Sequence, residues 1–379
     1  MVIFMMELSE IRQKIDSIDS QLLSLFVQRM DCARQVAEIK SEKGLPILNP
    51  AREEEILARR AAEAGALGDE SRVLFSTLME LSRALQHQLL QPENPLAPLL
   101  DSAKTLLPKG GRIACQGVAG AYSHKAALQQ FPSCEPTFYA NWEDVFRALE
   151  SGAVDFGVLP VENSSAGAVS EVYDLILKYR YYIVGAVELA VDHCLAAKPG
   201  TVEDDLLRVV SHPQALAQCE HYLKEHGLKP VSCSNTAVAA QHVANEPGKD
   251  CAAICSETAA QRAGLVILRR SVQNSSGNCT RFVVVSRQLI LPPDGDKISL
   301  CFSLPHVTGS LYRVLARFAA MGLNLTKIES RPIESERFEY LFYLDFSGNV
   351  RSDSTRRLLC SLSTELPGFS FLGNYRELV

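Results

Sequence analysis

From Ile11 the apolar residues recur at Ile11, Ile15, Ile18, Leu22, Leu25, Cys32, Val36 and Ile39, in steps of four and three interrupted at Arg29. That period specifies one long amphipathic helix of coiled-coil type. A break at Gly44 to Pro46 ends it. Asn49-Pro50 then reads as the N-cap and first residue of a second helix, with Glu53 in its first turn. A third helix spans about Asp69 to Leu90, with Leu74, Leu78, Leu81 and Leu85 on its stripe. Three helices of such unequal length cannot bury the seam in one compact monomer, so a partner chain is expected.

Arginine on an apolar seam requires an anion, because an unpaired buried charge is far costlier than a solvated one. The anion is either a structural glutamate or a ligand. Lys40 lies three turns beyond Arg29 on nearly the same face, and Ser82 and Gln86 share a face of the third helix at the i, i+4 spacing. Residues 1–91 resemble chorismate mutase of the all-helical type, the matching positions being Arg12, Arg29, Lys40, Arg52, Glu53, Ser82 and Gln86. The resemblance implies an intertwined helical dimer in which cationic side chains hold the two carboxylates of chorismate. It also implies that Lys40 and Gln86 bond the breaking ether oxygen and that Glu53 takes the ring hydroxyl. Arg12 and Arg29 are seventeen residues apart, about 25 Å along one helix, so Arg12 is expected to serve the partner's site. Asn49 stands where the family commonly has an aspartate near the substrate ring.

Residues 92–111 carry Pro92, Pro95, Pro98 and Pro108 and end in Gly110-Gly111, the composition of an interdomain linker. Short apolar strands then alternate with helical stretches over residues 112–290, which implies an α/β unit with helices covering a largely parallel sheet. The strands are Arg112 to Gln116, Phe156 to Pro160, Ile183 to Val191, Arg208 to Val210, Ala252 to Cys255 and Phe282 to Val285. The helices lie near Ser123 to Gln130, Asn141 to Ser151, Val169 to Lys178, Gln214 to Glu225 and Thr236 to Ala244.

Ligands in such sheets bind at the carboxyl ends of strands, and polar strings gather there. They are Tyr122-Ser123-His124, Glu162-Asn163-Ser164-Ser165, Asp192-His193-Cys194, Ser211-His212-Pro213-Gln214, Asn235-Thr236 and Asn278-Cys279-Thr280-Arg281-Phe282. Together they closely resemble prephenate dehydratase over about Arg112 to Leu289. The resemblance implies a two-lobed, periplasmic-binding-like domain with its site in the cleft and Thr280 as the catalytic hydroxyl. By the same resemblance the substrate contacts fall among Tyr122, Ser123, Glu162, Asn163, Ser164, Ser165, Ser211, Gln214, Thr236, Arg281 and Phe282.

Residues 297–379 order as β-α-β-β-α-β, the split βαβ, ferredoxin-like arrangement of an α+β domain. Gly309-Ser310-Leu311-Tyr312 and Glu329-Ser330-Arg331-Pro332 resemble the ACT-type regulatory domain of such dehydratases. The implied effector is phenylalanine, with Gly309, Ser310, Leu311, Leu323, Asn324, Leu325, Glu329, Ser330 and Arg331 as its contacts.

A formal charge of −6 without a basic block argues against nucleic-acid or anionic-membrane partners. The 11 cysteines are scattered without paired spacing, which favours reduced thiols in a cytosolic compartment over disulfides or zinc. The apolar opening Met1 to Met6 is too short for a signal peptide. No metal or other cofactor is expected. The whole reading is a multidomain, homodimeric or larger enzyme acting on chorismate and prephenate. Two alternatives are a dehydratase whose mutase is weakened at Asn49, and a ligand-responsive regulator that uses the helices only to dimerise.

Overall fold

The computed structural model describes residues 8–90, 94, 96–332 and 340–378. Met1 to Met6, Pro92 and Pro95 lie outside the described residues. The first unit is α1 (Leu8–Lys43), α2 (Pro50–Ala64) and α3 (Gly68–Leu90). Asn49 caps α2 as its sequence implies, its Oδ1 accepting the Arg52 amide at 3.2 Å. Within α1 only Ala33 and Ala37 are buried, while Ile15, Leu22 and Leu25 are 50–60% exposed. Burying a side chain of this size stabilises by about 1.5–3 kcal/mol, a contribution that these seam residues do not make within the single chain.

The segment expected to be a linker is partly structured. α4 (Leu96–Ser102) buries Leu96 and Leu100 in the core of the carboxy-terminal unit, and Asn94 Nδ2 donates to the Cys360 carbonyl at 2.6 Å. Pro98 does not prevent this, because the first turn of a helix has amides without intrahelical acceptors and loses nothing to a missing N–H.

The next elements are β1 (Ile113–Gln116), α5 (Tyr122–Gln130), β2 (Thr137–Tyr139), α6 (Trp142–Glu150), β3 (Phe156–Asn163), β4 (Gly167–Ala168), α7 (Ser170–Tyr179) and β5 (Tyr182–Ala190). The chain then crosses to a second lobe: β6 (Cys194–Ala197), β7 (Arg208–Ser211), α8 (Pro213–Gln218), α9 (Glu220–Glu225), β8 (Lys229–Ser232), α10 (Thr236–Asn245), β9 (Cys251–Cys255), α11 (Glu257–Arg262) and β10 (Val266–Arg269). It returns as β11 (Cys279–Ser286), which inserts between β3 and β5 and runs antiparallel to both. The largely parallel sheet expected from the βα alternation is therefore mixed in both lobes. A strand that comes back across the cleft necessarily runs against its neighbours. The second-lobe sheet, ordered β10-β6-β9-β7-β8, has antiparallel pairs at β10-β6 and β6-β9. The helix expected over Gln214 to Glu225 is two helices, broken at Cys219.

The last unit comprises β12 (Lys297–Leu304), α12 (Ser310–Ala320), β13 (Leu325–Pro332), β14 (Tyr340–Ser347), α13 (Asp353–Glu365) and β15 (Ser370–Tyr375). Its antiparallel sheet is ordered β13-β14-β12-β15, with Val314, Phe318, Leu358, Leu359 and Leu362 of the helices packed on Ile298, Leu300 and Phe302. The opposite face sends Cys301, Tyr343, Leu372 and Tyr375 into the core of the first lobe, against Tyr173, Ile183 and Val283. Finally β16 (Glu377–Leu378) leaves this sheet and pairs parallel with β5 of the first lobe.

Candidate active sites

Between α1, α2 and α3 lies a cleft of about 380 Å³ that brings together Arg29, Lys40, Asn49, Arg52, Glu53, Ser82 and Gln86, seven of the eight residues named for the first reaction. The eighth, Arg12, is on the exposed part of α1 and does not line it. Arg29 Nη1 donates to the Leu78 carbonyl at 2.7 Å and to Ser82 Oγ at 2.5 Å. Both acceptors are neutral, and among the described residues no carboxylate pairs with this guanidinium. Burial lowers its affinity for its proton, the sign of a charge without a counter-ion. The glutamate partner that the sequence left open is not found among the described residues.

Lys40 is likewise held by a neutral group, the Ile47 carbonyl. Gln86 is buried, donates to the Ser82 carbonyl at 3.2 Å and keeps an unpartnered Oε1. Arg52 turns to Glu55 at 2.7 Å on the rim. Glu53 is paired with Arg83, a cleft residue that the sequence reading missed. Arg83 is three residues before Gln86, a spacing that shares a helix face and was available as a signal.

The second site lies where the lobes meet. Asn163 ends β3 and Thr280 sits opposite it on β11 in register, with Asn163 Nδ2 donating to Thr280 Oγ1 at 2.9 Å. Asn163 Oδ1 accepts from Ser165 N at 3.1 Å and Ser165 Oγ at 2.7 Å, which fixes the amide's orientation. Ser164 Oγ ties the turn to β11, accepting the Cys279 amide at 2.9 Å. From the second lobe Gln218 Nε2 reaches Ser165 Oγ at 2.7 Å, and Gln214 Nε2 lies 3.5 Å from Asn163 Oδ1. Gln218 Oε1 is 3.0 Å from His193 Nε2. An amide oxygen only accepts, so the buried imidazole carries its proton on Nε2 and leaves Nδ1 unpartnered. Burial lowers the pKa of His193.

Gln218, His193 and Asn278 were missed as site residues. Gln218 is one turn after Gln214 on the same face. Asn278 immediately precedes β11, two residues before Thr280, and its Oδ1 accepts from Asn163 Nδ2 at 2.8 Å. Tyr122 Oη donates to the Asp192 carbonyl at 2.8 Å, and Ser123 Oγ to the Gln116 carbonyl at 2.6 Å, so both brace the cleft wall. Gly120 allows the lobes to touch, since its φ is +92° and a Cβ there would stand 3.1 Å from Ala259 Cα. Thr236 is the half-buried first residue of α10, whose Asn235 cap accepts the Ala237 and Val238 amides.

Four expected contacts are placed elsewhere. Arg281 and Glu162 are a registered pair next to Thr280 and Asn163, but side chains alternate across a strand and these two point to the opposite face. There Arg281 Nη1 meets Asp345 at 2.6 Å and Glu162 lies 3.4 Å from Lys327, both partners belonging to the carboxy-terminal sheet. Phe282 is core, packed with Val187, Leu189 and Val284. Ser211 is wholly buried, its hydroxyl donating to the Ile254 carbonyl at 2.6 Å within the second-lobe sheet.

In the carboxy-terminal unit Gly309 caps α12 at φ +80°, and Ser310 and Leu311 line a cleft of about 360 Å³ with Pro305, Val307, Tyr340 and Phe342. The other expected effector contacts do not line it. Leu323 and Leu325 pack on the core, and the Asn324 carbonyl accepts the Ser347 amide at 2.9 Å. Glu329 lies 3.3 Å from Lys327, Arg331 pairs with Asp174 of α7, and Ser330 is exposed on the edge strand β13.

Two stretches of the chain match known families. A family model described as chorismate mutase type II covers residues 11–87, and one described as prephenate dehydratase covers residues 113–289. A bifunctional chorismate mutase/prephenate dehydratase of Stutzerimonas stutzeri is 32% identical over 98% of each chain. An arogenate dehydratase/prephenate dehydratase of Arabidopsis thaliana is 40% identical over 77% of this chain and 81% of its own. A solved prephenate dehydratase from Arthrobacter aurescens, in complex with L-Phe, is 28% identical, aligns with a TM-score of 0.64 and covers 70% of this chain and 89% of that one.

Proposed function

The chain belongs to the bifunctional chorismate mutase/prephenate dehydratase family, and on that premise we propose that the α1–α3 cleft rearranges chorismate to prephenate while the interlobe cleft turns prephenate into phenylpyruvate. The observation that carries the residue assignments is that Arg29 in the first cleft, and the donors around Thr280 in the second, have no carboxylate partner among the described residues. Arg29 is half-buried with only neutral partners, and the groups around Thr280 are amides and hydroxyls.

In the first cleft Arg29 takes a substrate carboxylate, and Lys40 and the free amide hydrogen of Gln86 face the ether oxygen as the C–O bond lengthens. Glu53, oriented by Arg83, accepts from the ring hydroxyl. The rearrangement is pericyclic and moves no proton, so its rate comes from holding the folded conformer and stabilising charge on the ether oxygen. Arg12 supplies the remaining cation to the partner's site across the α1 seam, which makes the enzyme at least a homodimer.

In the second cleft the ring carboxylate leaves as carbon dioxide, its bonding electrons enter the ring, and the hydroxyl at the opposite carbon departs with its own electron pair. Asn163 donates to Thr280 Oγ1, so the threonine proton is free to point at that departing oxygen and make it water. Solvent returns the proton. Aromatisation supplies the driving force. No residue here needs a metal or other cofactor for these steps.

We read the carboxy-terminal unit as an ACT-type domain, a reading supported by its β-α-β-β-α-β order and four-stranded antiparallel sheet, and assign it phenylalanine as inhibitor. Gly309 exposes amides at the start of an 11-residue helix, where a carboxylate is favoured. The β13 string is apart from Gly309 within one chain, so a complete site pairs Gly309 of one copy with the exposed edge strand of another. The functional units are taken as residues 1–91, 112–290 and 297–379, with α4 grouped by packing with the last. Among the described residues no helix is long and apolar enough to cross a membrane, and the proposed setting is cytoplasmic.

The test supplies chorismate and follows prephenate and phenylpyruvate separately. Thr280→Ala is expected to accumulate prephenate at the wild-type rate of chorismate loss. Loss of both activities in a folded protein would overturn the two-site reading.

A further inference from the structure

Two consecutive registered pairs on β3 and β11 face opposite ways. Asn163 and Thr280 face the interlobe cleft, and Glu162 and Arg281 face the carboxy-terminal sheet. A register shift between Arg281 and Phe282 leaves an extra residue on β3 just beyond these pairs, so the strands are bent where the two sets of side chains part. The carboxy-terminal sheet grips both outward residues. Arg281 Nη1 meets Asp345 Oδ2 at 2.6 Å, its Nη2 donates to Tyr375 Oη at 2.6 Å, and its Nε is 2.5 Å from Glu377 Oε1. Asp345 and Tyr375 are locked in turn by Ser299 Oγ, at 2.5 and 2.7 Å. Arg281 is 10% exposed and Asp345 3%.

Lys327 holds the other residue. It is buried, lies 3.4 Å from Glu162 and 3.3 Å from Glu329, donates to Tyr173 Oη at 3.2 Å and covers that ring at 4.6 Å from its centroid. Glu329 belongs to the string proposed above to meet the effector. One lysine thus touches both the neighbour of a catalytic residue and a residue of the effector strand.

We propose that Glu162 and Arg281 are positioning residues, through which the carboxy-terminal sheet sets the Asn163–Thr280 geometry and through which an effector on that sheet slows the dehydratase. The coupling half of this proposal rests on the effector reading given above. The Arg281–Asp345 pair is buried on both sides, and Lys327 is buried beneath a Glu162 that is 38% exposed, so displacement breaks a low-dielectric contact at the first pair and uncovers a buried ammonium at the second. A shift of β13 or β14 therefore drags Glu162 or Arg281, and the backbone carries the movement one residue along to Asn163 or Thr280. Sites couple when both bias one such element.

The experiment uses the full chain. Lys327→Met keeps length and apolar volume and removes the charge shared by Glu162 and Glu329. Chorismate turnover reports on the fold, calorimetric titration on phenylalanine binding, and prephenate turnover with and without phenylalanine on coupling. The expected result is phenylalanine binding and chorismate turnover close to wild type, with at least tenfold more phenylalanine needed for half-inhibition of the dehydratase. Inhibition at the wild-type concentration and to the wild-type extent would overturn the proposal. Asp345→Asn tests positioning without any effector. It is expected to lower dehydratase kcat about tenfold with KM and chorismate turnover within about twofold of wild type, a split that general loss of structure would not give. Unchanged kcat there would also overturn the proposal. A wild type that neither binds nor responds to phenylalanine would refute the effector reading instead, and the Asp345→Asn result would then decide the positioning role alone.

Discussion

Asn163 Nδ2 lies 2.9 Å from Thr280 Oγ1 and donates to it, across a strand pair in which the two residues are in register. The bond runs in the direction that leaves the threonine hydrogen uncommitted. Its reversal would be chemically decisive. Asn163→Asp puts an acceptor where the donor stands, so Thr280 would give its proton to the carboxylate and not to the departing hydroxyl. Dehydratase kcat is expected to fall by two to three decades, about 3–4 kcal/mol of transition-state stabilisation, with chorismate turnover unchanged. Phenylpyruvate release from prephenate measures it, and a rate within threefold of wild type would remove Asn163 from this role.

Arg29 is the counterpart in the helical cleft. Its partners, the Leu78 carbonyl and Ser82 Oγ, carry no charge, so the guanidinium is partly desolvated with no ion pair among the described residues to offset the cost. Arg29→Ala is expected to cost chorismate turnover two to three decades, roughly 3–4 kcal/mol, while the thermal midpoint stays the same or rises. Turnover near wild type together with a large fall in midpoint would make Arg29 a structural residue.

Much of this was legible locally. The Asn49 cap, the long first helix, the start of the second, the span of the third and the polar strings at the strand ends depend on residues a few positions apart, and local pattern reports them directly. Two kinds of information were not local. The first is which face a residue takes on a strand bent by a bulge: Arg281 adjoins Thr280 in sequence and invites assignment to the same ligand, yet alternation turns it away. Its true partners, Asp345 and Tyr375, are 64 and 94 residues distant, and no spacing rule reaches them. The second is cooperative burial. Strands of three or four residues such as β2, β6 and β10 are strands only because a neighbour completes them, and α4 is a helix in a proline-rich stretch because Leu96 and Leu100 have a core to enter.

Acid should destabilise the fold through the buried His193 and the half-buried His87 and His212. Burial lowers the pKa of His193, His87 and His212 from the ordinary value near 6.5. The sign follows from linkage. Above pH 6.5 folded and unfolded states are both neutral at these rings and the contribution is complete. As pH falls below 6.5 the unfolded chain takes up protons that the folded chain refuses, and stability drops until the folded values are reached. Urea midpoints are therefore expected to fall between pH 7.5 and 5.5, and to fall less in His193→Gln, whose amide can still donate to Gln218. An equal fall in both proteins would mean that His193 protonates in the native state without penalty.

Arg12 and Arg29 lie on one helix too far apart to share a ligand, and only Arg29 lines the cleft of its own chain. With the α1 seam exposed, a two-fold dimer would place Arg12 of each protomer in the other's site. Arg12→Ala and Arg29→Ala are each expected to be nearly inactive as mutases. A heterodimer of the two has one site with both arginines intact, the Arg12→Ala chain giving its Arg29 and the Arg29→Ala chain giving its Arg12, and one site with neither. Equal amounts unfolded together and refolded should form heterodimers as half of all dimers, so two-fold symmetry predicts recovery of about a quarter of wild-type chorismate turnover. Dehydratase activity, which needs only one chain's lobes, should be indifferent to the mixing and serves as the measure of refolded protein. A mixture no more active than its parents, at normal dehydratase activity, would place both arginines in the same chain's site or leave Arg12 without a part in it.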